Sequence, residues 1–133
     1  MARSKINLLV IDDDDINIFI IKKIVEKTGY DVDMVSQANG KLAIDYLQET
    51  LGSDRPFPDL ILIDINMPVL NGWEFIEAYE KLNIDKNPDM YLLSSSVYEN
   101  DIEKAKTYSI VNGFISKPLA IDRLKELFDA LEE

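Results

Sequence analysis

The sequence contains no cysteine and no histidine. Without cysteine there is no disulfide framework, no thiol nucleophile and no thiolate metal site. Without histidine the Ser-His-Asp and Cys-His arrangements are excluded, as are imidazole zinc sites and a phosphohistidine on this chain. Basic residues are scarce as well: 14 Lys and Arg stand against 25 Asp and Glu, a net charge of −11. Binding nucleic acid by counterion release needs clustered Lys and Arg, and the same charge opposes an anionic membrane surface. Neither nucleic acid nor membrane is therefore an expected partner. Long apolar runs are missing too. Ile6–Ile11 is interrupted by Asn7 and stops at four aspartates, too short for a signal peptide, and no run approaches a membrane span. A soluble, cytoplasmic protein is expected.

What is present suits one domain. At 133 residues the length prior gives a single domain over residues 1–133, without a separate output module. A chain of this size buries roughly two thirds of its unfolded surface, and its 47% hydrophobic content is enough to fill that core without staples.

The stretch Leu60–Gly72, LILIDINMPVLNG, organises the rest. Leu60 to Ile63 are apolar without a break, as suits a strand buried on both faces of a parallel sheet. The run ends in Asp64, and a carboxylate there leaves the sheet at its C-terminal edge, where open α/β folds place ligands. Asn66, Pro68, Asn71 and Gly72 then make a loop. Taken alone, Asp64 reads as a strand-end carboxylate capping a turn.

Four more segments read as strands: Ile6–Ile11, Val32–Val35 with polar flanks that suggest an edge, Met90–Leu93 and Gly113–Ile115. Helical spacing follows each. The first helix runs to about Lys27 with Phe19, Ile20, Ile24 and Val25 as its apolar residues, Asp14 or Asp15 as cap and Gly29 as stop. Asn39-Gly40 opens a second, with Leu42, Ala43, Tyr46 and Leu47 on its apolar face. A third runs from about Trp73 to Leu82, with Trp73, Phe75 and Tyr79 assigned to the core. A fourth is capped by Asn100 or Asp101 and reaches about Tyr108, and the last is Ile121–Leu131. Glu49–Pro58 is a loop by its Gly, Ser and prolines. Strands alternating with helices in this way predict a doubly wound parallel sheet, for which 2-1-3-4-5 is one of two common strand orders.

Polar groups gather at four strand ends: Asp12 and Asp13, Asp64, Ser94, and Lys117. In a parallel sheet all of them leave the same edge. If the first and third strands are neighbours, Asp12, Asp13 and Asp64 share one pocket. Carboxylates at ~4 Å repel by about 1 kcal/mol in water and about 4 kcal/mol at an effective dielectric of 20. Such a pocket needs a cation, and oxygen ligands without His or Cys favour Mg²⁺. Each residue has a plainer role when taken singly: Asp15 as a helix N-terminal charge, Ser95 or Ser96 as turn hydroxyls, Lys117 as a solvated lysine. Their joint arrival at one sheet edge favours the site.

At these residues the chain resembles the receiver domain of two-component response regulators, over nearly its whole length. LLVIDDDDIN is similar to the family's first strand and acid pair, at Asp12 and Asp13. DLILIDINMPVLNG resembles the phospho-acceptor strand and loop, at Asp64. LLSSS matches the fourth-strand hydroxyl at Ser94, and GFISKP the fifth-strand lysine at Lys117. The resemblance implies the flavodoxin-like three-layer α/β/α fold with order 2-1-3-4-5. It implies that Asp64 takes a phosphoryl group from a phosphohistidine of a sensor histidine kinase or histidine phosphotransfer protein, with catalysis of this transfer and slow hydrolysis of the aspartyl phosphate. It implies Mg²⁺ held by Asp12, Asp13, Asp64 and the carbonyl of Asn66, with Lys117 neutralising phosphoryl oxygens and Ser94 bonding them. A cis peptide before Pro118 is implied as well. Output to a downstream protein passes through Ser94 and a fifth-strand aromatic, often tyrosine in the family and here Phe114.

Two other readings compete. A Mg²⁺-dependent phosphohydrolase with an aspartate nucleophile shares the sheet edge, but Asp64-Ile65-Asn66 lacks the second carboxylate such enzymes use. A receiver-like module that binds without phosphorylation has no need of the intact set Asp12, Asp13, Asp64, Ser94 and Lys117.

Overall fold

The structure is a computed structural model and describes residues 5–65, 71–94 and 99–131. Strands β1 (Ile6–Ile11), β2 (Val32–Gln37), β3 (Leu60–Asp64), β4 (Asp89–Ser94) and β5 (Gly113–Ser116) alternate with helices α1 (Asp15–Lys27), α2 (Gly40–Leu51), α3 (Gly72–Lys81), α4 (Glu99–Lys106) and α5 (Ile121–Leu131). The strands form one parallel sheet in the order β2-β1-β3-β4-β5. The expected doubly wound architecture is the one observed.

Alternation along the strands sorts the core into two layers. Leu9, Ile11, Ile61, Ile63, Met90 and Leu92 face α2, α3 and α4, meeting Ala43, Leu47, Phe75, Ile76 and Ala105. Ile6, Leu8, Val10, Leu60, Leu62, Leu93 and Ile115 face α1 and α5, meeting Ile21, Val25, Leu124, Leu127 and Phe128. β3 lies in the middle, and all five of its residues are buried. Burying each of its four aliphatic side chains is worth about 1.5–3 kcal/mol before entropy is charged against it, so the strand that ends in Asp64 is firmly held.

The caps match the local chemistry. Asp14 caps α1, Asn39 caps α2, and Asn71 caps α3 in a reciprocal box with Glu74. Gly29, at φ +82°, makes the left-handed exit beyond Thr28 at the end of α1.

Several expectations are corrected. In α1 the residues turned to the sheet are Ile21 and Val25, while Phe19 and Ile20 are exposed. Ile16, Ile18, Phe19, Ile20, Ile21, Ile24 and Val25 surround this helix with apolar side chains, so spacing alone does not choose the buried stripe. In α2 the inward row is Gly40, Ala43, Leu47 and Thr50, which leaves Leu42 exposed. α4 begins at Glu99, so Asn100 and Asp101 lie inside it rather than capping it. β2 also runs beyond Val35 to Gln37, because Ile11 of β1 offers Gln37 a ladder partner. Trp73 is half-buried at the margin of the core, stacked on Tyr108 at 6.0 Å between ring centroids.

Candidate functional site at the C-terminal edge of the sheet

The register brings the strand ends together. Ile11 of β1 pairs with Ile63 of β3, so the next residue of each chain, Asp12 and Asp64, leaves the sheet beside the other. On the far side of β3, Asp64 is level with Leu93, one residue before Ser94. Ser94 is level with Ser116, and the Lys117 N–H donates to the Ser94 carbonyl at 2.8 Å. The Lys117–Pro118 peptide is cis, as expected.

Asp12, Asp13 and Asp64 each place a carboxylate oxygen within 4.8 Å of the others. Asp12 and Asp64 are buried, and Asp13 is exposed. The Lys117 ammonium lies between the buried pair, 3.2 Å from Asp12 Oδ2 and 3.6 Å from Asp64 Oδ1. Asp12 has further donors: the Asp14 N–H reaches Oδ1 at 2.9 Å and Asn17 Nδ2 reaches Oδ2 at 2.5 Å. Asp14 is spent on the helix, accepting from the N–H groups of Ile16 and Asn17. Asp15 lies in the first turn, where a negative charge suits the helix dipole. The four-aspartate run is thus divided between a cap, a first-turn charge and two site residues.

Ser94 is buried at the end of β4. Phe114 is half-buried and joins the core layer under α2, α3 and α4, while its neighbour Ile115 enters the opposite layer. Asn66, expected to offer a carbonyl to a metal, lies outside the described residues, as do Ser95 and Ser96.

Two residues that the sequence reading did not assign to the site border it. Asn17 is the donor to Asp12, and its signal was its place one helical turn beyond the acid pair. Gly72 starts α3 against the acceptor strand, with its N–H bonded to the Ile65 carbonyl at 3.1 Å. A Cβ on Gly72 would lie 2.9 Å from the Asp64 carbonyl oxygen and 2.9 Å from Ile65 Cα. Only glycine permits that approach. A cavity of about 560 Å³, lined by Tyr79, Lys86, Asp89 and Asn112 among others, opens at the opposite edge of the sheet.

The donor set is all oxygen, with three carboxylates converging and one cation between them. It fits a small hard divalent ion, and it leaves Asp64 as a buried carboxylate facing positive charge. The sequence also matches the profile described as the response regulator receiver domain over residues 8–129. The chain belongs to the response regulator receiver domain family. Receiver domains bind Mg²⁺ at an acidic pocket and interact with histidine kinases or phosphotransfer proteins.

Relatives of this receiver domain agree. A solved two component response regulator from Cytophaga hutchinsonii superposes with a TM-score of 0.87 at 36% identity, covering 97% of this chain and 98% of that one. Two-component response regulator 24 of Arabidopsis thaliana is 30% identical over 132 residues, 98% of this chain and 87% of that protein. Hybrid signal transduction histidine kinase I of Dictyostelium discoideum is 27% identical over 123 residues, 92% of this chain but only 7% of that protein. Among the described residues no helix is long and apolar enough to cross a membrane.

Proposed function

We propose that this receiver domain is phosphorylated on Asp64 and works as a switch in a cytoplasmic phosphorelay. An Asp64 carboxylate oxygen attacks the phosphorus of a phosphohistidine on a sensor histidine kinase or histidine phosphotransfer protein. The P–N bond breaks, its electron pair leaves on the imidazole nitrogen, which takes up a proton, and the phosphoryl group stays on Asp64. Lys117, already 3.6 Å from Asp64 Oδ1, neutralises charge on the transferring oxygens. Asp13 and Asp64 would hold Mg²⁺ directly, Asp12 through water and Asn66 by its carbonyl. The ion would add positive charge against the same oxygens. The Ser94 hydroxyl bonds the new phosphoryl group, and Phe114 repacks beneath α4, which changes the face of α4, β5 and α5 that a downstream protein reads.

The exposed apolar stripe of α1 supports the assignment of a protein donor. Ile16, Phe19 and Ile20 are 73%, 59% and 44% exposed, at i, i+3 and i+4 on a helix whose cap adjoins the acid pocket. A protein donor that covers this stripe also stands beside the acid pocket. The observation that carries the proposal is the buried Asp64 carboxylate, with Lys117 on one side and two further carboxylates within 4.8 Å. Incubation with acetyl phosphate should add one phosphoryl mass in Mg²⁺ and little in a chelator, and Asp64→Asn should abolish the adduct. Undiminished labelling of that variant would overturn the assignment.

A further inference from the structure

Asp12 carries an unusual load. Its carboxylate is completely buried, so each oxygen must find donors inside the protein. Lys117 and the Asp14 N–H are two of them, and neither requires a particular side chain on α1. The third is the Asn17 amide, in the first full turn of α1, at 2.5 Å from Oδ2. A carboxylate accepts and cannot donate, so the Asn17 side chain must face it with its NH₂ group. This bond and the Lys117 contact fall on the same oxygen, Oδ2, while Oδ1 is held by the Asp14 N–H.

A neutral amide at this point differs from a cation. It satisfies a lone pair of Asp12 without cancelling the charge, so the pocket keeps its attraction for a divalent ion. It also anchors Asp12 from the α1 side, against the pull of Lys117 from the β5 side. Without it, the ammonium is the remaining side-chain donor to Oδ2 among the described residues, and Asp12 is free to turn toward it and away from a metal.

We infer that Asn17 is a positioning residue for the cation site: its amide holds the Asp12 carboxylate in the orientation that serves Mg²⁺. This rests on the reading of Asp12, Asp13 and Asp64 as a Mg²⁺ site. Groups that orient metal ligands through a hydrogen bond typically carry 10–100-fold in affinity when removed.

Titration calorimetry with Mg²⁺ on the metal-free protein tests it, with Asn17→Ala, Asn17→Leu and Asn17→Gln beside the unmutated chain. The first two remove the donor, with and without loss of volume, and should weaken Mg²⁺ binding about 10-fold. Gln keeps the amide on a side chain one methylene longer and should recover most of that loss. Thermal midpoints in chelator should fall only modestly, since Lys117 still donates to Asp12 Oδ2 and Ala and Leu are good helix formers. Mg²⁺ affinity unchanged in Asn17→Leu overturns the inference, as does equal weakening in all three variants, which would make packing rather than the amide responsible. If the unmutated protein binds no Mg²⁺, the metal reading itself falls and the role of Asn17 falls with it.

Discussion

Lys117→Met removes the only cation seen between the buried carboxylates among the described residues while keeping most of the side-chain volume. At an effective dielectric of 20, the separations of 3.2 Å and 3.6 Å give about 5 kcal/mol of attraction to each of Asp12 and Asp64. The two carboxylates, within 4.8 Å of one another, repel by about 3.5 kcal/mol on the same scale. These gross terms are offset by desolvation of the ammonium, whose side chain is only 18% exposed. Breaking a buried pair by deleting one partner costs about 3–5 kcal/mol in practice. With a urea slope of about 2 kcal/mol/M for a chain of this size, the midpoint in chelator should fall by about 1.5–2.5 M. Mg²⁺ should then stabilise the variant more than the parent. It has no ammonium to oppose it in the variant, so it should bind more tightly there. At a hundredfold excess over its dissociation constant it should return about 2.7 kcal/mol of stability. Urea denaturation with and without Mg²⁺ reads both effects. A variant as stable as the parent in chelator would refute the reasoning, and so would Mg²⁺ binding more weakly to the variant than to the parent.

Gly72→Ala should destabilise the fold by about 1–3 kcal/mol, since its Cβ meets the Asp64 carbonyl and Ile65 Cα at 2.9 Å; phosphorylation should slow with it, and a variant unchanged in both would show that α3 yields freely. Tyr79 is held by burial at a pKa pushed up to about 12 from 10.0, so the folded state keeps its phenol proton where the unfolded chain has lost it. Its contribution is therefore complete below pH 10 and lost as pH rises to 12, about 2–3 kcal/mol in all. Tyr79→Phe should flatten that alkaline fall while losing the hydrogen bond to the Lys86 carbonyl, and parallel alkaline limbs in the two proteins would exclude the cause. Trp73 is the single tryptophan, stacked on Tyr108 with Lys104 of α4 4.7 Å from its ring centroid, so it reports on the α3–α4 contact. Its emission should change on phosphorylation, and Ser94→Ala should blunt that change while leaving the Asp64 adduct largely intact. An emission unaltered by full phosphorylation of the parent would mean that α4 is not part of the output.

By itself the sequence determined the element order, the parallel sheet and the residues that meet at its edge. The reason is that strand burial and strand ends are local signals: an unbroken apolar run such as Leu60–Ile63 places β3 inside, and the first polar residue after it must emerge at the edge. Asp12, Asp64 and Ser94 are legible that way, and Asp13 and Lys117 stand one residue further on. Tertiary structure decided what no single element contains. The α1 stripe of Ile16, Phe19 and Ile20 stayed exposed because the helix is apolar nearly all round and the sheet covers one side only. Gly72 owes its role to a strand that passes 2.9 Å from where its Cβ would be. Asn17 meets Asp12 across the turn from β1 into α1, a local contact whose geometry the turn sets. Periodicity fixes which residues share a face, but which face is covered, and which atoms then touch, depends on the neighbours that packing supplies.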